Sequence, residues 1–106
     1  MEGNGSPRFK VGHLNKAKKH LHELEQRAKA LGLSKQLAKS LREITDRLEF
    51  APLEWGEPHY HTILPGGVVR HAVWEGLSVR FVAYEQQRLV FLIDILPLAN
   101  HPLSEQ

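Results

Sequence analysis

A chain of 106 residues with 42% apolar and 25% charged side chains has the length and composition of one soluble globular domain. It contains no cysteine, which excludes a disulfide framework and thiolate chemistry. No apolar run reaches about 18 residues, so no membrane-spanning helix is predicted, and the N-terminus lacks a hydrophobic signal core, so a cytoplasmic location is expected.

The net charge of +2 conceals two halves of opposite sign. Residues 10–50 carry ten Lys and Arg against five Asp and Glu, whereas residues 51–106 carry three against six. An acidic partner is therefore expected to dock on the first half of the chain.

The N-terminal segment is predicted from its small and turn-forming residues. Residues 1–7 include two Gly, a Ser and a Pro, which predict a disordered leader. A single domain is predicted to begin at residue 8 and to end at residue 98. Its first element is a short strand at Arg8–Val11, where polar and apolar residues alternate, and Gly12 is expected to end it.

Two amphipathic helices are predicted next. Apolar residues recur at intervals of three and four between His13 and Leu31, and again from Ser34 to Phe50, which is the spacing of one buried helical stripe. Gly32 suits the left-handed position after the first helix, and Ser34 is expected to cap the second. So short a connection makes the pair an antiparallel helical hairpin.

The segment WGEPHYHTILPGG, Trp55–Gly67, is predicted to be a connector between the helices and a sheet. Trp55 and Tyr60 can bury aromatic area there, which favours a structural tether over a catalytic loop. The pair His59-x-His61 could hold a metal ion if the segment is extended. No third ligand lies at a diagnostic spacing, so neither a metal site nor a cofactor is predicted.

Three strands follow, because the apolar period changes from helical spacing to two. They are predicted at Val68–Trp74, Leu77–Tyr84 and Arg88–Leu98, separated by turns short enough for hairpins. The last strand is apolar on both faces, which favours a central position beside the N-terminal strand. Residues 99–106 are predicted to be a flexible tail.

The predicted fold class is α+β. It comprises a short N-terminal strand and an antiparallel helical hairpin, packed on a three- to four-stranded, mainly antiparallel sheet. This arrangement buries the stripes of both helices against one face of the sheet.

The order of elements resembles the RelE/ParE superfamily of bacterial toxin–antitoxin systems. The segments RLEFAPLEWGEP and LPGGVVRHAV…LSVRFVAYEQQRLVFLIDILPL carry the resemblance, which covers residues 8–98 and is nearest to divergent members. It implies a compact toxin bound by a cognate antitoxin protein. In the RelE branch it implies cleavage of mRNA in the ribosome without a metal ion, and in the ParE branch an action on gyrase.

The resemblance also suggests site residues. Arg70 lies where the family carries an Arg on its second strand, whereas Ser78 and Phe81 stand where an Arg and a Tyr are expected. A metal-free ribonuclease needs a general base, a general acid and cations that stabilise the phosphorane. The candidates for these roles are Arg70, Arg80, His71, His61 and His101.

The helices supply a second set of candidates. Basic residues that could bind nucleic acid are Lys16, Lys19, Lys35, Lys39 and Arg42. Glutamates interleave with them, so a solvated helix face explains the same pattern equally well.

Two functional hypotheses remain open. One is a RelE-like toxin that acts as a metal-independent, ribosome-dependent mRNA endonuclease. The other is a non-catalytic member of the fold that works by binding a protein target. Arg70 and the histidines favour the first, whereas the lack of a clear C-terminal catalytic group favours the second.

Overall fold

A computed structural model of the chain describes residues 8–61 and 66–104, without the side chains of Tyr60 and His61. The predicted leader at residues 1–7 lies outside the described residues. The elements in chain order are β1 (Lys10–His13), α1 (Asn15–Leu31), α2 (Ser34–Phe50), β2 (Glu57–His61), β3 (Gly67–Trp74), β4 (Leu77–Tyr84) and β5 (Leu89–Pro97). The predicted α+β class is confirmed.

The five strands form one sheet in the order β1-β5-β4-β3-β2. β1 pairs with β5 in parallel, and the other neighbours are antiparallel. The expected central position of the last strand, beside β1, is therefore correct. The strand count is one higher than predicted, because the connector contributes the edge strand β2. Its pairing shifts register between Pro58 and Tyr60, and proline is tolerated at a sheet edge.

Gly12 does not end β1, contrary to the prediction. The strand continues to His13 because the ring of Phe91 on β5 covers this glycine. A Cβ atom at Gly12 would lie 2.9 Å from Phe91 Cδ1, so the missing side chain makes room for the ring.

The helical hairpin is confirmed, with small changes at the ends of its helices. Leu14 has extended backbone angles, so α1 begins at Asn15. Gly32 has a φ of 73° and takes the left-handed position expected of it. Ser34 is already the first residue of α2, Leu33 precedes it as the capping residue, and no side-chain capping bond forms. No helix in the described part of the chain is long and apolar enough to cross a membrane.

The core lies between the two helices and one face of the sheet. Trp55, from the segment before β2, stacks on Phe81 with ring centroids 5.7 Å apart. The buried helical residues are Ala17, Leu24, Ala28, Leu37, Ile44 and Leu48, and those of β4 are Leu77, Val79, Phe81 and Ala83. Because alternate residues of a strand point to opposite faces, the remaining residues of β4 lie on the side away from the helices. We call that side the distal face.

The C-terminal residues are docked, which contradicts the prediction of a flexible tail for residues 99–104. Leu103 is 2% exposed and belongs to the core. Arg27 Nη1 on α1 donates a hydrogen bond to its carbonyl oxygen at 2.9 Å. Backbone bonds from Leu98 to Gly76 and from His101 to Leu98 turn the chain back toward the helices. Residues 105–106 lie outside the described residues.

Replacing Leu103 by Ala tests this docking. We expect Leu103→Ala to lower the free energy of unfolding by about 2–5 kcal/mol, the usual cost of truncating a buried leucine. Urea denaturation measures it. Leu98→Ala is the matched control, because Leu98 is 38% exposed, and should cost much less. Equal, small effects of both substitutions would show that the C-terminal residues are undocked in solution.

Candidate functional site

The alternation of β3 separates two of the candidate site residues. Arg70 is the register partner of Phe81, a core residue, and His71 is the register partner of Arg80. Arg70 therefore faces the helices, whereas His71 and Arg80 lie together on the distal face.

Four polar residues cross the distal face in one line, which we call the polar row. Glu57 on β2 is paired with His71 on β3, His71 with Arg80 on β4, and Arg80 with Asp94 on β5. Four adjacent strands span about 14 Å. The polar row is therefore a narrow band of charged and polar side chains that crosses the sheet perpendicular to its strands.

His71 makes two further contacts at the β2 end of the polar row. Its Nε2 lies 2.7 Å from the Ser78 hydroxyl, and which of the two groups donates depends on the histidine tautomer. The ring of His59 stacks on it with centroids 5.4 Å apart. Two imidazoles and a hydroxyl therefore meet at one point on the distal face. Among the described side chains, no group of three or more His, Asp or Glu residues could hold a metal ion.

Asp94 is the best-shielded member of the polar row, with 6% exposure. Arg80 donates to its Oδ2 from Nε at 3.0 Å and from Nη2 at 2.5 Å. Lys16 Nζ on α1 lies 3.6 Å from the same oxygen. One carboxylate therefore engages two cations, one on β4 and one on α1.

A register shift places Asp94 on the distal face. The β4–β5 pairing passes from Arg80 with Asp94 to Phe81 with Leu92, which leaves Ile93 without a partner. Leu92 and Ile95 can then both enter the core, although they are three residues apart. The extra residue turns the Asp94 carboxylate toward Arg80.

Arg70 has a structural contact on the helical side of the sheet. It donates from Nε to the carbonyl oxygen of Trp55 and from Nη2 to that of Gly56, both at 2.9 Å. Gly56 has a φ of 76°, and a Cβ atom there would lie 2.3 Å from the carbonyl oxygen of His71. Arg70 thereby fixes the chain segment that leads into β2.

Of the other two candidate histidines, His101 lies apart from the polar row and His61 cannot be assigned to it. His101 packs beside Gly76 at the β3–β4 turn, about 13 Å along β4 from Arg80. It lines a cleft of about 290 Å³ between α2 and the C-terminal residues. Its Nδ1 accepts a hydrogen bond from the Leu103 amide, and burial lowers its pKa. The His61 side chain is not among those described; its backbone pairs with Val68.

The candidate nucleic-acid-binding residues are all exposed, but they fall into two groups. Lys16 and Lys19 lie at the start of α1, beside β5. Lys35 and Lys39 lie at the start of α2, near the turn of the hairpin. Helices of 17 residues are about 25 Å long, so the two groups occupy opposite ends of the antiparallel hairpin. Arg42 lies between them on α2.

Sequence reasoning did not find the pairing of Asp94 with Arg80. The available signal was one acidic residue inside the otherwise apolar strand LVFLIDILP. The direction of the Asp94 side chain depends on the register shift at Ile93, and no periodicity in the sequence predicts that shift.

Two solved structures share this architecture. A chain of the toxin–antitoxin complex RelBE2 from Mycobacterium tuberculosis matches with a TM-score of 0.53 and 16% identity, covering 92% of this chain and 100% of that one. A chain of a chromosomal ParDE TA system from P. aeruginosa matches with a TM-score of 0.55 and 18% identity, covering 85% and 96%. No protein-family model and no curated protein matches the sequence.

At these identities the likeness establishes the fold. The chain has the RelE/ParE toxin fold, which confirms at the level of architecture the resemblance seen in its sequence.

The contacts of Arg70 predict a structural phenotype. We expect Arg70→Ala to lower the free energy of unfolding by about 1–3 kcal/mol, because two carbonyl groups lose a charged donor. Urea denaturation followed by tryptophan fluorescence measures it. Arg42→Ala, at an exposed position of α2, should change stability little. An Arg70→Ala protein as stable as the natural chain would contradict the tethering role.

The environment of His101 predicts a pH dependence of stability. Burial lowers its pKa from the usual 6.5, so the unfolded chain binds this proton first as the pH falls. The contribution of His101 to stability is therefore complete above the unfolded pKa and is lost as the pH falls toward the lower, folded pKa. Urea midpoints from about pH 8 to about pH 5 cover the histidine range.

The control for this titration is His101→Asn, whose amide oxygen can accept the Leu103 N–H without titrating. Relative to this variant, the natural chain should lose stability as the pH falls. Parallel pH profiles of the two proteins would refute the assignment.

Proposed function

We propose that this chain is the toxin-side component of a bacterial toxin–antitoxin pair in the cytoplasm. In this proposal a cognate antitoxin protein binds it, and it acts by binding a protein target rather than by cutting RNA. The observation that carries the proposal is that both candidate arginines already serve the fold: Arg80 contacts Asp94, and Arg70 contacts two backbone carbonyls.

The pairing with an antitoxin is supported by the fold. Both structural neighbours come from toxin–antitoxin systems. They match nearly the whole length of this chain, so the likeness covers the helical hairpin as well as the sheet. An acidic antitoxin segment would complement the excess of basic residues in residues 10–50.

The charge distribution argues against cleavage of RNA. A pentavalent phosphorane needs cations that are free to meet its oxygens. The charge of Arg80 is neutralised by Asp94, and Arg70 faces the helices. His101 lies near the β3–β4 turn, so it cannot work together with His71.

A metal-independent, ribosome-dependent endoribonuclease is the second candidate, because one observation favours it. His71 and Ser78 are in hydrogen-bond contact, and His59 stacks on His71. An imidazole that contacts a hydroxyl can move a proton near neutral pH. In that case mRNA in the ribosome would be the partner of the distal face.

Induced expression in a bacterial host separates the two candidates. We expect growth arrest without new mRNA 5′ ends, and equal arrest by His71→Ala, because binding does not require proton transfer. Co-expression of a small acidic protein encoded beside the gene should restore growth, and the two proteins should purify together.

Two results would contradict the proposal. New ribosome-dependent 5′ ends that His71→Ala abolishes would establish the endoribonuclease instead. Normal growth with abundant, folded protein would reject a toxic action in that host.

A further inference from the structure

We propose that residues 98–104, which we call the C-terminal cover, are a pH-sensitive closure of the cleft beside α2. Neutral His101 holds the cover in place, and protonation of His101 releases it. Release exposes the buried side chain of Leu103, together with Leu33 and Leu37 on the wall of the cleft. The chain therefore presents an additional apolar surface in acid, whatever target it binds.

The cover depends on one hydrogen bond that only a neutral imidazole can accept. The Leu103 amide donates to His101 Nδ1 at 2.9 Å. In neutral histidine one ring nitrogen is an acceptor, whereas both ring nitrogens carry a proton in the cationic form. Protonation at Nδ1 therefore places two N–H groups against each other, and the Leu103 amide loses its acceptor.

His101 is also the residue around which the backbone of the cover folds. Its amide donates to the carbonyl oxygen of Leu98, and its own carbonyl oxygen accepts from the Ser104 amide, both at 2.9 Å. Its ring packs against Gly76 at the β3–β4 turn, where a Cβ atom would lie 2.9 Å from His101 Cδ2. A ring packed this closely leaves little room for the water that an imidazolium charge needs. Protonation therefore disturbs the whole cover.

The groups around His101 leave its neutral form favoured. Among the described residues that line the cleft, Glu75 is the one ionisable residue apart from His101, and it is exposed. Arg27 approaches the cover from α1 and donates to the carbonyl oxygen of Leu103. The lining residues of α2 that are polar but uncharged are Gln36 and Ser40. Burial lowers the pKa of His101 from its usual 6.5, so the docked ring is neutral at pH 7.

The position of the cover allows it to open without unfolding the domain. It follows β5, which ends at Pro97, so its release leaves the two helices and the five-stranded sheet in place. Leu103 is its one buried residue, with 2% exposure. A segment outside the helices and strands that is held by few buried side chains opens at a lower free energy than the whole domain. Acid therefore acts on the cover first.

The direction of the pH effect follows from linkage. Released His101 has its ordinary pKa of about 6.5, whereas burial gives the docked ring a lower pKa. Docking is therefore fully favoured above the released pKa, and it weakens as the pH falls toward the docked pKa. Each unit between the two pKa values weakens the docking equilibrium up to about tenfold.

Hydrogen exchange measured by NMR on the purified full chain tests the release. The probes are the amide of Leu103 in the cover and the amide of Val79, a fully buried residue of β4. We expect the protection factor of the Leu103 amide to fall roughly tenfold between about pH 7.5 and about pH 5.5, while the Val79 amide stays protected. Equal losses at both amides would show global unfolding, and constant protection of Leu103 would show that the cover does not respond to the proton. Both results overturn the inference.

His101→Asn and His22→Asn are the matched variants. An asparagine at position 101 can accept the Leu103 N–H through its amide oxygen but does not titrate, so protection of the Leu103 amide should become independent of pH. His22 is exposed on α1, so the same substitution there should leave the pH response of the natural chain unchanged. A response that survives in His101→Asn, or one that His22→Asn removes, would assign the effect to another group and overturn the inference.

A titration of the natural chain keeps the inference testable if His101→Asn does not fold. The NMR signals of the His101 ring give its protonated fraction at each pH, and we expect the loss of Leu103 protection to follow this fraction. A ring that takes up its proton while the Leu103 amide remains protected would overturn the inference. No antitoxin, target or host cell takes part in these measurements, so their failure leaves the toxin–antitoxin proposal unaffected.

Discussion

Asp94 on β5 is 6% exposed, and a carboxylate buried to this degree must be neutralised by neighbouring groups. Arg80 meets it from β4, and Lys16 meets it from α1. The register shift of β5 and the path of α1 past the sheet edge are both needed for these contacts. The Leu14 amide donates a hydrogen bond to the carbonyl oxygen of Leu92 at 3.0 Å, which holds the start of α1 beside β5. The local geometry of α1, β4 and β5 therefore stabilises one buried carboxylate.

The two faces of the sheet have different structural roles. On the helical side, Arg70 holds the chain before β2, and the stack of Trp55 on Phe81 closes the core. On the distal face, Arg80 of the polar row and Lys16 of α1 both contact the Asp94 carboxylate. Each arginine therefore already has partners within the chain, on opposite faces of the sheet.

Most of the architecture was predictable, because helical and strand periods are strong signals over 17 and eight residues. β2 was missed because Pro58 and the irregularity beside it interrupt the alternation of a short edge strand. Gly12 was wrongly predicted to end β1, because the ring that packs over it belongs to Phe91 on the neighbouring strand β5. The partner of Asp94 could not be predicted, since a shift of one residue sends a side chain to the other face. Docking of Leu103 likewise depends on tertiary contacts with α1.

A double-mutant cycle on Arg80 and Asp94, measured as free energies of unfolding, tests most directly whether Arg80 serves to neutralise Asp94. The variants are Arg80→Ala, Asp94→Ala and the double substitution. If Arg80 serves mainly to neutralise Asp94, the double variant should be more stable than the two single losses imply. The expected coupling is about 0.5–3 kcal/mol, the range for residues in contact or in one salt-bridge network. A coupling near zero would show that Arg80 is independent of Asp94 and free for a ligand, and would contradict the account.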